Sequence, residues 1–155
     1  MLAHIFNFIL LACISIIALP IPTSAADAKN PWDALKEAHS LKCDFGQGIS
    51  TKWKGDEPDL EDARIHVEVY LRDIDLQTGK ARLISSGEFT DVWAKLSPMT
   101  LNFVEMSGMW NISVITLYPY YFKETEKFPA VWSKHQYLAD GPFASQFYGS
   151  CSVWE

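Results

Sequence analysis

The chain has 155 residues and a net charge of −6, and every Asp, Glu, Lys and Arg lies after residue 26. That acidic balance, with no polybasic run, excludes nonspecific binding to nucleic acid or to an anionic lipid surface, since both need a basic face. With a leader set aside, roughly 130 residues are left, enough for one domain around one core.

Residues 1–26 have the pattern of a secretory signal peptide. Ile5 to Leu19 is an apolar run interrupted by Asn7 and Ser15, then ended by Pro20 and Pro22. Thr23-Ser24-Ala25 and Ser24-Ala25-Ala26 offer the small side chains that signal peptidase requires. The run falls short of the roughly 20 residues that span a bilayer, so no stable membrane span is expected after cleavage. A periplasmic or secreted protein is the expectation. A lipoprotein attached through Cys13 is the minor alternative, because Leu10-Leu11-Ala12-Cys13 loosely matches a lipobox.

Residues 27–40 are predicted as a polar lead-in and one short helix. Asn30 caps it, Pro31 takes its first position, and it is expected to run to His39. The β domain is assigned to residues 41–155. Cys43 and Cys151 sit near its two ends, and an even pair in an oxidising compartment predicts one structural disulfide.

From Leu41 onward the period is two. Leu41, Cys43 and Phe45 predict a strand that stops at Gly46-Gln47-Gly48. Residues 52–64 read as a weakly structured segment, acidic at Asp56, Glu57, Asp59, Glu61 and Asp62, and a solvated loop is expected there. Ile65, Val67, Val69 and Leu71 alternate with polar residues in the clearest strand, which turns at Gln77-Thr78-Gly79-Lys80 into Ala81 to Ile84. Ser85-Ser86-Gly87 precedes a strand near Asp91 to Lys95. Thr100 to Met106 and Trp110 to Tyr118 form the next hairpin, around Ser107-Gly108. Phe128 to Tyr137 and Gln146 to Trp154 flank a turn at Ala139-Asp140-Gly141-Pro142. The prediction is an all-β fold: one antiparallel barrel or sandwich of about seven or eight strands, with one short N-terminal helix.

No motif in the sequence specifies catalysis, a metal or a cofactor. The mature histidines, His39, His66 and His135, have no metal-ligand spacing. His66 and Glu68 share a strand face and could act as acid and base, but simple alternation accounts for the same pattern. Ser133 and His135 form a similar pair without a nucleophile elbow. Asp73 to Ile84 lacks the glycine and the glutamate of a calcium loop. Asn111-Ile112-Ser113 matches a glycosylation sequon but lies in a predicted strand. The candidate recognition aromatics are Trp53, Trp110, Tyr118, Tyr120, Tyr121 and Trp132, residues that combine an apolar body with a polar handle.

Four segments, Leu41 to Gly48, Leu101 to Glu105, Phe128 to His135 and Ser145 to Cys151, resemble a group of small exported bacterial proteins of unknown function. The resemblance implies a bacterial origin and a disulfide-closed β domain, and carries no activity. Trp53-Lys54-Gly55-Asp56-Glu57 is also similar to a short motif of periplasmic lysozyme inhibitors, where it comes later in the domain. The G-x-W signature that opens lipocalin barrels is absent. The functional expectation is a non-enzymatic binding protein for a small molecule, envelope component or protein partner. The alternatives are an inhibitor of a cell-wall-degrading enzyme and a structural envelope protein.

Overall fold

The computed structural model describes residues 30–108, 111–122 and 124–154; the expected signal peptide, Cys13 and Trp110 lie outside the described residues. A short helix is followed by eight antiparallel strands, each paired with its neighbour in sequence, and the last closes on the first to form a barrel. The elements are α1 (Pro31–Glu37), β1 (Leu41–Lys54), β2 (Glu57–Asp75), β3 (Lys80–Ser85), β4 (Glu88–Leu96), β5 (Leu101–Ser107), β6 (Asn111–Leu117), β7 (Phe128–Leu138) and β8 (Gly141–Val153).

Helix α1 starts where its cap predicts. The Asn30 side chain accepts a bond from the Trp32 amide at 3.0 Å, and Pro31 opens the first turn. It stops at Glu37, two residues before the expected end. There Ala38 is already extended, and the His39 carbonyl accepts a bond from the Ile74 amide on β2. Leu35 and Ala38 are buried in the main core, so the helix plugs one end of the barrel. The Trp154 amide bonds to the Ser40 carbonyl and brings the end of the chain to the same place.

Two readings of the sequence need correction. Gly46-Gln47-Gly48 does not end the first strand; the ladder slips there and β1 continues to Lys54. Residues 52–64 are not a loop. They form the ends of β1 and β2, turning at Gly55 and Asp56. Alternation sends Asp59 and Glu61 to one face with Lys52 and Lys54, and the ion pairs Lys54–Asp59 (2.6 Å) and Lys52–Glu61 (3.8 Å) run across the ribbon. The acidic residues face lysines and take strand geometry, so composition misread a charged ribbon as a loop.

The other turns follow local chemistry. The Asp75 carboxylate accepts bonds from the Gln77 and Thr78 amides and the Thr78 hydroxyl, which fold β2 into β3 and hold its pKa below the ordinary aspartate value. Ser86 and Gly87 both have positive φ, the pairing that a two-residue hairpin requires.

Inside the barrel Leu41, Cys43, Phe45, Val69, Leu71, Phe103, Ile115, Leu117, Phe128 and Cys151 pack as one buried cluster around the plugged end. Outside, β1 to β4 carry Lys42, Asp44, Glu68, Arg72, Arg82, Asp91 and Lys95 alternating with those core residues. On these strands the charges lie outside and the apolar residues inside, whereas β5 to β8 carry Val104, Met106, Ile112, Val131 and Tyr148 on their outer face.

The β1–β8 seam closes the barrel. Cys43 and Cys151 are directly opposed in its ladder and joined by a disulfide, both fully buried. Just above, the strands approach so closely that a Cβ on Gly149 would lie 2.0 Å from the Asp44 carbonyl, and one on Gly48 would lie 2.2 Å from that of Gln146. Glycine is required at both places by contact with backbone.

Two outcomes follow. A Cys43→Ala/Cys151→Ala variant should lose about 4–5 kcal/mol in urea unfolding, since the bridge closes a loop of 108 residues; a loss below about 1 kcal/mol would refute the fastening role. Gly149→Ala should cost about 3 kcal/mol or more through backbone overlap. Gly108→Ala, where a Cβ meets nothing within 4 Å, should be nearly neutral in the same assay.

Candidate functional site

β5, β6 and β7 change character halfway along their inward faces. Register places Phe103, Ile115 and Trp132 in one row across the three strands. The next row, one residue pair further from the helix plug, is Glu105, Ser113 and Lys134. Ser107 and Asn111 pair in the row beyond, with Gln136 beside them on β7. An apolar layer is therefore followed by two polar ones. These polar residues, with Trp132 and Ile112, line a recess of about 120 Å³ at the unplugged end. Pockets for drug-sized ligands run to about 300–1,000 Å³, so the recess suits a small molecule or one group of a larger partner.

Trp132 is the floor. It is 4 % exposed, packs on Phe45 at 5.3 Å between ring centroids, and donates its indole N–H to Ser113 Oγ at 2.6 Å. The Lys134 ammonium lies 3.8 Å from the Trp132 ring centroid, a cation–π contact that covers the ring's upper face. Burial pushes the Lys134 pKa down, and the charge of Glu105 opposes that shift. Asn111 Oδ1 accepts a bond from the Tyr137 amide, which anchors the rim where β6 ends.

The candidate aromatics do not gather in one place. Trp132 is inside the barrel at the recess. Trp53 is exposed near the tip of the β1–β2 hairpin, beside Pro142 and Phe143 of the β7–β8 hairpin. Tyr118, Tyr120 and Tyr121 lie at the opposite, plugged end, between β6 and β7. There Tyr121 packs on Phe128 at 4.9 Å, and Tyr120 meets Phe122 edge-on at 5.4 Å. Burial pushes the Tyr121 pKa up, which fits a packing role.

His66 and Glu68 do share the outer face of β2. Glu68 pairs with Lys42 at 2.5 Å and accepts a bond from the Tyr70 hydroxyl, and both hold its pKa below the usual carboxylate range. Such a carboxylate is a poor general base. Ser133 and His135 also face outward, in a shallow groove with Ile49 and Leu60. Asp73 pairs with Arg82. Among the described residues no three His, Cys, Asp or Glu side chains group as metal ligands.

Sequence reading missed Glu105, Ser107, Lys134 and Gln136, and met Asn111 and Ser113 only as a sequon. The signal was a polar switch at alternate positions in three successive strands, and it becomes visible only when their register is known. No family model matches the sequence, and no curated protein matches it.

The Lys134 geometry has a pH consequence. A lysine pKa lowered on folding means that the unfolded chain binds the proton more tightly. The penalty is present in full below the lowered value and is relieved as pH rises towards the ordinary 10.5. Lys134→Met, which keeps a stem over Trp132, should therefore melt above the parent at neutral pH, with the gap narrowing towards pH 10. A gap that stays constant across that range would show that Lys134 carries no burial penalty.

Proposed function

We propose that this is an exported, non-enzymatic binding protein, periplasmic or secreted, whose binding end is the open mouth of the barrel. The single observation behind this reading is the inward switch from apolar to polar at one end of a barrel that α1 plugs at the other. These polar side chains are only partly buried, so the mouth stays open to water that a ligand can displace. Two hairpins wall the mouth: β2 pairs with β3 only as far as Val69, so its first residues rise with β1, and β7–β8 rises beside them. A disulfide-closed domain behind a secretory leader suits an envelope ligand or partner. The resemblance to small exported bacterial proteins of unknown function agrees with this setting.

A second reading has one specific observation in its favour. The Trp53-Lys54-Gly55-Asp56-Glu57 segment, similar to a lysozyme-inhibitor motif, lies at the projecting tip of the β1–β2 hairpin. As an inhibitor, the protein would insert that tip into the cleft of a cell-wall-degrading enzyme.

Amide NMR mapping separates the two. With soluble peptidoglycan fragments, the mouth reading expects shifts centred on Ser113, Lys134 and Gln136. Shifts centred on the plugged end, at Tyr118 to Phe122, would overturn it. The inhibitor reading expects a molar excess of protein to suppress lysozyme turnover, with Trp53→Ala relieving the suppression; unchanged turnover would dismiss it.

A further inference from the structure

The charges inside the recess restrict what it can hold. Glu105 and Lys134 lie in one row with Ser113 between them, so their Cα atoms are about 10 Å apart across two strand spacings. Among the described residues neither makes an ion pair. The Lys134 ammonium instead contacts the Trp132 ring. A carboxylate and an amine thus face the same small, partly dehydrated space without meeting in an ion pair.

Each simple ligand class leaves one of them unmatched. An anion would gain Lys134 but meet Glu105, and a cation would gain Glu105 but meet Lys134. An apolar ligand would strip water from both charges and return nothing. A sugar would need the face of Trp132, which is almost fully buried and covered by the Lys134 ammonium. A ligand bearing both charges matches both residues, and a neutral sum suits a site whose own charges cancel.

We propose that the recess binds a small amino-acid-class zwitterion, its carboxylate held by Lys134 and Ser113 and its ammonium by Glu105. Ser113 Oγ already accepts from the Trp132 indole, so its own proton is free to point at the carboxylate. The volume of about 120 Å³ suits an amino acid with a small side chain, such as glycine or alanine. This inference rests on the mouth being the binding end.

The test is an NMR titration that follows the Trp132 indole N–H and the Ser113 amide, with glycine, alanine, acetate and methylammonium as separate probes at neutral pH. Glycine and alanine should shift both signals saturably, at least tenfold more tightly than acetate or methylammonium. Glu105→Gln should turn the preference towards acetate and Lys134→Met towards methylammonium, with far-UV circular dichroism confirming that both variants fold. Acetate or methylammonium binding as well as glycine would overturn the proposal, as would no probe moving either signal. Peptidoglycan fragments in the same titration separate the two failures. If they move the mouth signals while glycine and alanine do not, the zwitterion is wrong and the binding end stands. If nothing moves those signals, both readings fall.

Discussion

The structure depends on the seam between β1 and β8. Every other ladder joins strands adjacent in sequence, so each forms over a short loop. The seam instead joins residues about a hundred positions apart, and an open eight-stranded sheet would leave β1 and β8 as bare edges. Three features secure it: the buried Cys43–Cys151 bridge, and Gly149 and Gly48, which let the backbones approach where the ladder slips. The bridge acts chiefly on the unfolded chain by shortening the longest closure. The glycines act on the folded one, where a methyl group would strike a carbonyl.

Once the barrel is closed, its interior is graded from end to end. α1 and the ends of β1, β2 and β8 close the lower opening, and the apolar rows above it pack as one buried cluster. At the Glu105–Ser113–Lys134 row the lining becomes polar, and there the interior opens. The same eight strands thus provide a packed support for the site and a small polar cup. Groups in such a cup are carried by three adjacent paired strands, β5, β6 and β7, which keeps their reorganisation on binding small.

Much of the fold was legible in the sequence. The capped helix, the Ile65–Leu71 alternation, the hairpin turns and the pairing of the two mature cysteines all come from rules acting over a few residues or from counting. Barrel and sandwich could not be told apart, because both use the same alternation and differ only in whether the last strand meets the first. The errors at Gly46–Gly48 and at residues 52–64 have a common cause. Glycines and dense charge usually mark loops, but here a neighbouring strand accommodates the glycines as a slip in the ladder and supplies Lys52 and Lys54 to the acids.

The candidate site divides along the same line. Composition drew attention to aromatics, yet Trp53, Trp132 and Tyr118 to Tyr121 are distributed among the hairpin tip, the interior and the plugged end. By itself the sequence determined an acidic, disulfide-bearing chain of alternating strands, since local pattern and residue counts suffice for those properties. Only the tertiary structure decided that Glu105, Ser113 and Lys134 form one row facing an unfilled end of the barrel. The physical reason is register: inter-strand pairing sets which side chains share a height, and no single strand carries that information.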